Sequence, residues 1–300
     1  MAIAALMLTT MLAVCAGCKK DPQNGGNGSN ALIAPPEGAL NGLYTINANG
    51  DQAWFSKGNL QFQVYPCQFR FAENQWDFIG EANSNPDWGQ WVDLMGWGTS
   101  FYNHGAVCYY PYNTSTTNSD YYPYGHCGYN LFDETGKADW GYNKIINGGD
   151  QENLWRTPTG GSTGEWAYIC FHRETPSGIR FAKAQVNSIN GVILVPDNWD
   201  ASTYTLNNTN QTNAHFSTNI ITAEDWNTTL QTAGCVFLPA TGYRYGQTVK
   251  KINEFGEYWS SNYYKDDRAH CLDLSDTHFQ SRKDHLSSGF AVRLIQPYVP

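Results

Sequence analysis

The chain has 300 residues and a formal net charge of −9, with charged and aromatic residues at 15% each. That length allows one large domain or two small ones. The acidic balance argues against a nucleic-acid partner, because phosphate binding needs clustered Lys and Arg. Abundant Gly, Asn, Thr and Tyr suit a loop-rich, β-containing extracellular domain.

Residues 1–17 are nearly uncharged and rich in Ala, Leu and Met. The run is too short for a transmembrane helix and reads as a signal peptide. Ala16 and Gly17 directly before Cys18 resemble the lipobox of bacterial lipoproteins. That resemblance implies cleavage before Cys18, lipidation of its thiol, and an envelope location on the outer membrane with the domain surface-exposed. Residues 18–40, rich in Gly, Asn, Ser and Pro, cannot bury enough apolar area to offset chain entropy and read as a flexible tether. Beyond residue 17, no segment has the ~18 apolar residues a span needs.

From residue 41 to 300 no linker-like break occurs, so one domain is expected. Tyr44-Thr45-Ile46, the turn signal Asn49-Gly50-Asp51, and Ala53-Trp54-Phe55 read as strand, turn, strand. Leu60 to Val64 and Gln68 to Phe71 alternate with period two, as half-buried strands do. Trp88 to Leu94 reads as a short helix, and Phe101 to Asn147 as a long irregular excursion. Ser162-Thr163-Gly164-Glu165 has the spacing of a capping box, with Trp166, Ile169 and Cys170 on one face. Thr222-Ala223-Glu224-Asp225 predicts a second cap, with Trp226 and Leu230 buried. Strands are predicted at Arg180–Val186, Gly191–Val195, Cys235–Pro239, Glu257–Ser260, Cys271–Leu274 and Gly289–Ile295. In the last of these, Phe290, Val292 and Leu294 point inward. The order is that of an α+β fold with antiparallel sheets, two helices and long loops.

Trp155-Arg156-Thr157-Pro158-Thr159 with Glu165-Trp166, then Phe237-Leu238-Pro239-Ala240 with Gly242-Tyr243-Arg244, then Tyr258-Trp259-Ser260-Ser261 and Gly289 to Leu294 form a set. The set resembles formylglycine-generating-enzyme-like domains, a branch of the C-type lectin fold. It also resembles bacterial lipoproteins that end in this fold, some of them variable proteins diversified by retroelements. The resemblance spans about Trp54 to Ile295 and is specific for fold rather than function.

The stretch from Asn262 to Ser288, inside a candidate variable region of about 258–293, is chemically mixed. It carries three of the seven His residues and has no Glu, Met or Trp, a composition compatible with adenine-directed diversification. The resemblance implies ligand contacts from Asn262, Tyr263, Tyr264, Asp266, Asp267, Arg268, His270, Cys271, Asp273, Ser275, Asp276, His278, Ser281, Arg282, Asp284 and His285. Tyr and Arg are the expected anchors, since they concentrate binding energy. Leu272, Leu274, Phe279 and Leu286 are the apolar residues expected to pin the stretch to the core. The expected partner is a protein or cell-surface ligand, alongside the membrane that holds the lipid on Cys18.

A binding protein rather than an enzyme is the expectation. Formylglycine-generating enzymes bind copper through a C-terminal cysteine pair, and here only Cys271 lies in that part. His270, His278 and His285 lack metal-ligand spacing, and no motif calls for a cofactor. Pro196 to Asp200 reads as a turn in which Asp197 and Asn198 bond their own backbone. Tyr109, Tyr110, Tyr121 and Tyr122 are candidates for an extended binding surface. Cys108–Cys127 is the disulfide to expect, with Cys170 and Cys235 as core residues.

Overall fold

The computed structural model describes residues 34–123, 129–133 and 135–300. The signal peptide, Cys18, most of the tether and Cys127 of the expected disulfide lie outside those residues. The Asn49–Asp51 signal folds as a turn. Asn47 Oδ1 accepts from the amides of Asn49 and Asp51, and Gly50 takes φ +85°. That turn lays β1 (Ala39–Thr45) antiparallel on β2 (Gln52–Ser56), so β1 starts just inside the stretch expected as tether. β3 (Leu60–Gln63) and β4 (Gln68–Phe71) form where strands were predicted, and they pair antiparallel.

The predicted helix at 88–94 is not formed. Pro86 and the positive φ of Gly89 break it, and β5 (Trp91–Val92) pairs with β3 instead. The Arg70 guanidinium lies over the Trp91 ring at 3.9 Å and fixes its extended pose. The nearby helical turn is Gly80–Ser84, whose Asn83 holds the Asp93 carboxylate at 2.8 Å.

The described residues between 93 and 163 are irregular except for 3-10 turns at Asn118–Asp120 and Trp140–Tyr142 and isolated bridges. Indole N–H groups tie this chain to distant carbonyls. Trp97 donates to Ser260 O at 2.8 Å, Trp140 to Thr99 O at 2.9 Å, and Trp155 to Gly148 O at 2.8 Å.

α1 (Glu165–Ala167) continues as a π-turn over Tyr168–His172. Its reciprocal cap uses Thr159 rather than Ser162. Glu165 N donates to Thr159 Oγ1 at 2.9 Å, and Thr159 N to Glu165 Oε2 at 2.8 Å. Arg156 also binds both Glu165 oxygens, which turns the carboxylate toward Thr159. β6 (Phe181–Val186) and β7 (Ile189–Leu194) form a hairpin through Asn187 and Ser188, both at positive φ. β8 (Ile220–Ile221) pairs parallel with β6. Next, α2 (Ala223–Asp225) is capped as predicted, with Thr222 Oγ1 accepting from Asp225 N at 3.0 Å, and runs on as a π-turn. β9 (Val236–Pro239) completes the order β8-β6-β7-β9.

Asp197 departs from expectation. The turn forms, but its carboxylate leaves the local backbone for Thr45, Gln52 and the buried guanidinium of Arg173, at 2.7, 2.9 and 2.7 Å. A charged partner without exposure outcompetes a local amide.

β10 (Tyr243–Tyr245) and β11 (Thr248–Lys250) lead into β12 (Phe255–Lys265), β13 (Arg268–Ser275) and β14 (Phe279–His285). β15 (Ser288–Gly289) pairs with β10, and β16 (Ile295–Pro297) with β2. The sheets are mostly antiparallel and the helices short, an α+β architecture dominated by β-structure.

The predicted strand at 289–295 is broken: β15 ends at Gly289, β16 begins at Ile295, and single bridges at Phe290 and Ala291 lie between; the segment alternates in side but has no solvent face. Phe290, Val292 and Leu294 enter one apolar cluster, and Ala291 and Ile295 a second. Arg293 is fully buried; its guanidinium donates to Gln75 Oε1 at 2.7 Å and reaches the Phe237 carbonyl at 3.5 Å. Burial lowers its pKa from 12.5 to about 10.

Arg244 is buried likewise and donates to the carbonyls of Leu94, Gly246 and Asn113, at 3.1, 3.1 and 2.9 Å. Truncation would strand three carbonyls, each unmade bond costing about 1–3 kcal/mol. Arg244→Ala is expected to lower unfolding free energy by about 3 kcal/mol or more. Urea denaturation checks this, and a midpoint within error of the parent would refute the brace.

Candidate functional site

The strands β12, β13 and β14 form one antiparallel sheet in that order. Facing pairs share a side, and sides alternate along each strand. The register Trp259↔Cys271 and Tyr258↔Leu272 therefore sets two faces. Trp259, Ala269 and Cys271 enter the first cluster, while Tyr258, Leu272, Leu274 and Phe279 enter the second. The anchors predicted at Leu272, Leu274, Phe279 and Leu286 are all buried.

The sixteen predicted contact residues fall into groups rather than one surface. At the tip of the β12–β13 hairpin, Tyr264, Asp266 and Arg268 are exposed, with Asp266 at φ +55° in the turn. Asp267 accepts from Asn118 Nδ2 at 2.8 Å and sits 2.8 Å from His285 Nδ1. Tyr263 is half-buried and donates to the carbonyl of Asp266. Asn262 is occupied within the fold, since its Oδ1 accepts from Gly160 N at 2.8 Å. On one side of the sheet, Tyr264 meets His270 edge-on at 5.3 Å and carries the Lys283 ammonium over its ring at 4.2 Å. Burial, and then Lys283, lower the His270 pKa. Half-buried Ser281 shares this side, paired with Leu272.

The other side holds a charged cluster. Arg282 Nη2 binds Asp284 at 2.6 Å, and its Nη1 lies 3.5 Å from Glu257 and 3.6 Å from Asp273. Burial pushes the Glu257 carboxyl well up, Asp284 and Asp273 push the same way, and Arg282 opposes them. Burial works against charge on Arg282, yet Glu257, Asp284 and Asp273 outweigh it and its pKa rises. His278 Nε2 lies 2.9 Å from Asp273 Oδ1. Asp276 accepts from Phe216 N at 2.8 Å.

Three predicted contacts are not on the surface. Cys271 and Asp273 are closed off, because their side of β13 faces the first cluster and the charged cluster. Burial also drives the Cys271 thiol well up, so it stays protonated. Ser275, 8% exposed, opens only toward a cavity.

That cavity, about 640 Å³, lies between Phe216 and Phe255, with Gln185, Asn190, Asp276 and His278 on its walls. A second of about 410 Å³ is lined by Tyr243, Lys250, Glu257, Arg282 and Asp284; Phe255 and Lys251 line both. Glu257, Phe216 and Tyr243 lay outside the predicted contact set. They come from three separate segments, and no spacing in the sequence joins them. Of the four tyrosines considered for an extended surface, Tyr121 and Tyr122 are buried, while Tyr109 and Tyr110 remain half-buried.

Among the described residues, no cluster of three or more His, Cys, Asp or Glu is arranged to hold a metal ion, and no helix is long and apolar enough to cross a membrane. No protein-family model, curated protein or solved structure matches the chain.

The Glu257 proton gives the site a pH signature. The folded chain keeps this proton above the ordinary value of 4.5, where the unfolded chain releases it. The term therefore favours folding below that pH and is lost as pH rises through the higher folded value. Glu257→Gln is expected to flatten the fall in stability as pH rises above 4.5. Urea midpoints across that range decide it, and parallel pH profiles for parent and variant would exclude the assignment.

Proposed function

We propose that this chain is an exported lipoprotein, anchored through Cys18, whose C-type-lectin-like domain is a receptor for a protein or cell-surface ligand. The observation that carries the reading is the division of labour in the β12–β14 sheet. Its apolar side chains are locked in two clusters, while Tyr264, Asp266, Arg268 and Lys283 stand exposed on a backbone they do not support. A stiff frame with exchangeable side chains is what recognition by a diversified segment requires, because ordering costs are met before binding. Tyr264 offers a large ring with few rotors and Arg268 a forked donor, both suited to anchoring a partner. The contact set is the hairpin tip together with Tyr264, His270, Lys283 and His285 on one side and Arg282, Asp284 and His278 on the other. Charged groups there set specificity and association rate more than affinity.

A fixed carbohydrate-binding adhesin is the second reading, favoured by one feature outside the sheet. Trp88 is 81% exposed and stacks on Tyr65, itself 58% exposed, with ring centroids 5.1 Å apart. An open aromatic pair suits a sugar face.

Replacing Tyr264, Asp266, Arg268 and Lys283 together with Ser tests the frame. Surface changes cost about 0.5 kcal/mol or less each, so the variant is expected to keep its urea midpoint within about 2 kcal/mol of unfolding free energy. Loss of the fold would end the receptor reading. Glycan-array binding that survives these four changes but is lost in Trp88→Ala would decide for the adhesin. In the genome, a near-copy of the 3′ coding segment beside a reverse transcriptase, differing only at adenines, is the expected companion.

A further inference from the structure

The turn between β13 and β14 contains a hydrogen-bonded chain that strand pairing does not require. His278 Nε2 lies 2.9 Å from Asp273 Oδ1, and His278 Nδ1 lies 3.0 Å from Ser275 Oγ. Asp273 is fully buried and, as a carboxylate, only accepts. It therefore places the imidazole proton on Nε2 and leaves the Nδ1 lone pair toward the Ser275 hydroxyl. Gln280 donates to the second Asp273 oxygen at 3.2 Å and holds the carboxylate in place. Around the ring, Asp273, Asp276 and Asp284 outnumber the cations Arg282 and Lys183, whose Nζ donates to the Ser275 carbonyl at 2.7 Å, an anionic setting for an imidazolium formed during reaction. Thr277 N donates to Ser275 Oγ at 3.2 Å, a contact that favours the oxygen as it gains charge.

Ser275 lines the 640 Å³ cavity together with Phe216 and Phe255. Asn190 contributes an Oδ1 that is buried and without a hydrogen-bond partner, and its residue lines the same space. The cavity thus combines two apolar walls for a substrate body with an unanswered polar atom and an oriented hydroxyl–imidazole pair.

We propose that Ser275 is an activated nucleophile in this cavity, with His278 as its general base, Asp273 as the positioning residue, and small carboxylic esters as the substrate class. The Ser275 oxygen adds to the ester carbonyl carbon while its proton passes to His278 Nδ1. The bond to the alcohol oxygen then breaks, and the alcohol leaves with that proton. Water adds to the acyl carbon in the second half, giving a proton to Nδ1, and a carboxylic acid departs as Ser275 regains its hydrogen. These side chains supply no paired oxyanion donors, which are worth about 10²–10³ in rate elsewhere. Acylation by activated reagents is therefore expected rather than fast turnover. The inference is independent of the receptor reading.

A fluorophosphonate probe applied to the mature full-length protein, followed by peptide mass mapping, tests it. Ser275 is expected to be labelled in the folded protein and not in guanidinium-denatured chain. His278→Gln is expected to slow labelling about a hundredfold. Asp273→Asn is expected to slow it about tenfold or more with the final extent of labelling unchanged, a separation that a merely structural role would not produce. An unlabelled Ser275 in folded protein, labelling no faster than in denatured chain, or an unslowed, folded His278→Gln would each overturn the proposal. The folded-against-denatured comparison stands even if a variant fails to fold.

Discussion

Buried guanidinium groups are what the rest of this fold depends on. A chain with short strands, three-residue α-helices and a long irregular excursion cannot satisfy its own backbone through ladders, yet buried carbonyls still need donors. Arginine supplies five N–H groups from one rigid plane. Arg244 joins the carbonyls of Leu94, Asn113 and Gly246, segments with no strand pairing between them. Arg293 holds Gln75, Asn59 and Phe237 around one point. Arg173 gathers Ile169, Val195 and the Asp197 carboxylate, with the Tyr44 ring 4.9 Å away. Indoles act alongside them, with Trp97, Trp140, Trp155 and Trp259 each donating to a remote carbonyl.

These braces make the central sheet possible. β12 and β13 have no wet face along their middle: one side feeds a cluster with Trp97, Trp140 and Phe290, the other a cluster with Phe55, Trp166 and Leu238. Only the hairpin tip and the β14 edge escape burial; at the charged end Glu257 and Asp273 stay buried while Arg282 reaches solvent. The polar groups near solvent are thus confined to places where the strands run past the cores. That confinement sets Glu257, Asp273 and Asp284 around Arg282 and opens cavities on both sides of Phe255.

Much of the strand order was legible because period-two runs such as Leu60–Gln63 and Gln68–Phe71 form strands, although only Gln68–Phe71 keeps one side buried; Gln61 is buried along with Leu60 and Phe62. Arg156, Arg244 and Arg293 stood in the sequence words that suggested the fold, and they proved to be its cross-links. Trp88–Leu94 misled because its aromatic spacing fits a helical face, while the decisive partner, Phe62, lies some thirty residues upstream. Ser162 misled for a related reason: the capping spacing was right, but Arg156 turns Glu165 toward Thr159. At the site, alternation identified the apolar anchors correctly. It could not tell that Cys271 and Asp273 face inward, because on a sheet buried from both sides a polar residue keeps the same period as an exposed one. The cavity walls contributed by Phe216, Asn190 and Tyr243 needed tertiary structure to be seen at all.

β14 ends its sheet as an outer strand, and the segment Arg282-Lys283-Asp284 places three consecutive charges along it. A foreign strand zipping onto that border would have to strip water from those groups and break the Arg282–Asp284 contact. Main-chain annealing is thereby discouraged, both between copies of the chain and with extended peptides. Whatever docks here must do so by side-chain complementarity at the hairpin end or in the hollows beside Phe255. An exposed sheet border can remain soluble in this way without a covering helix.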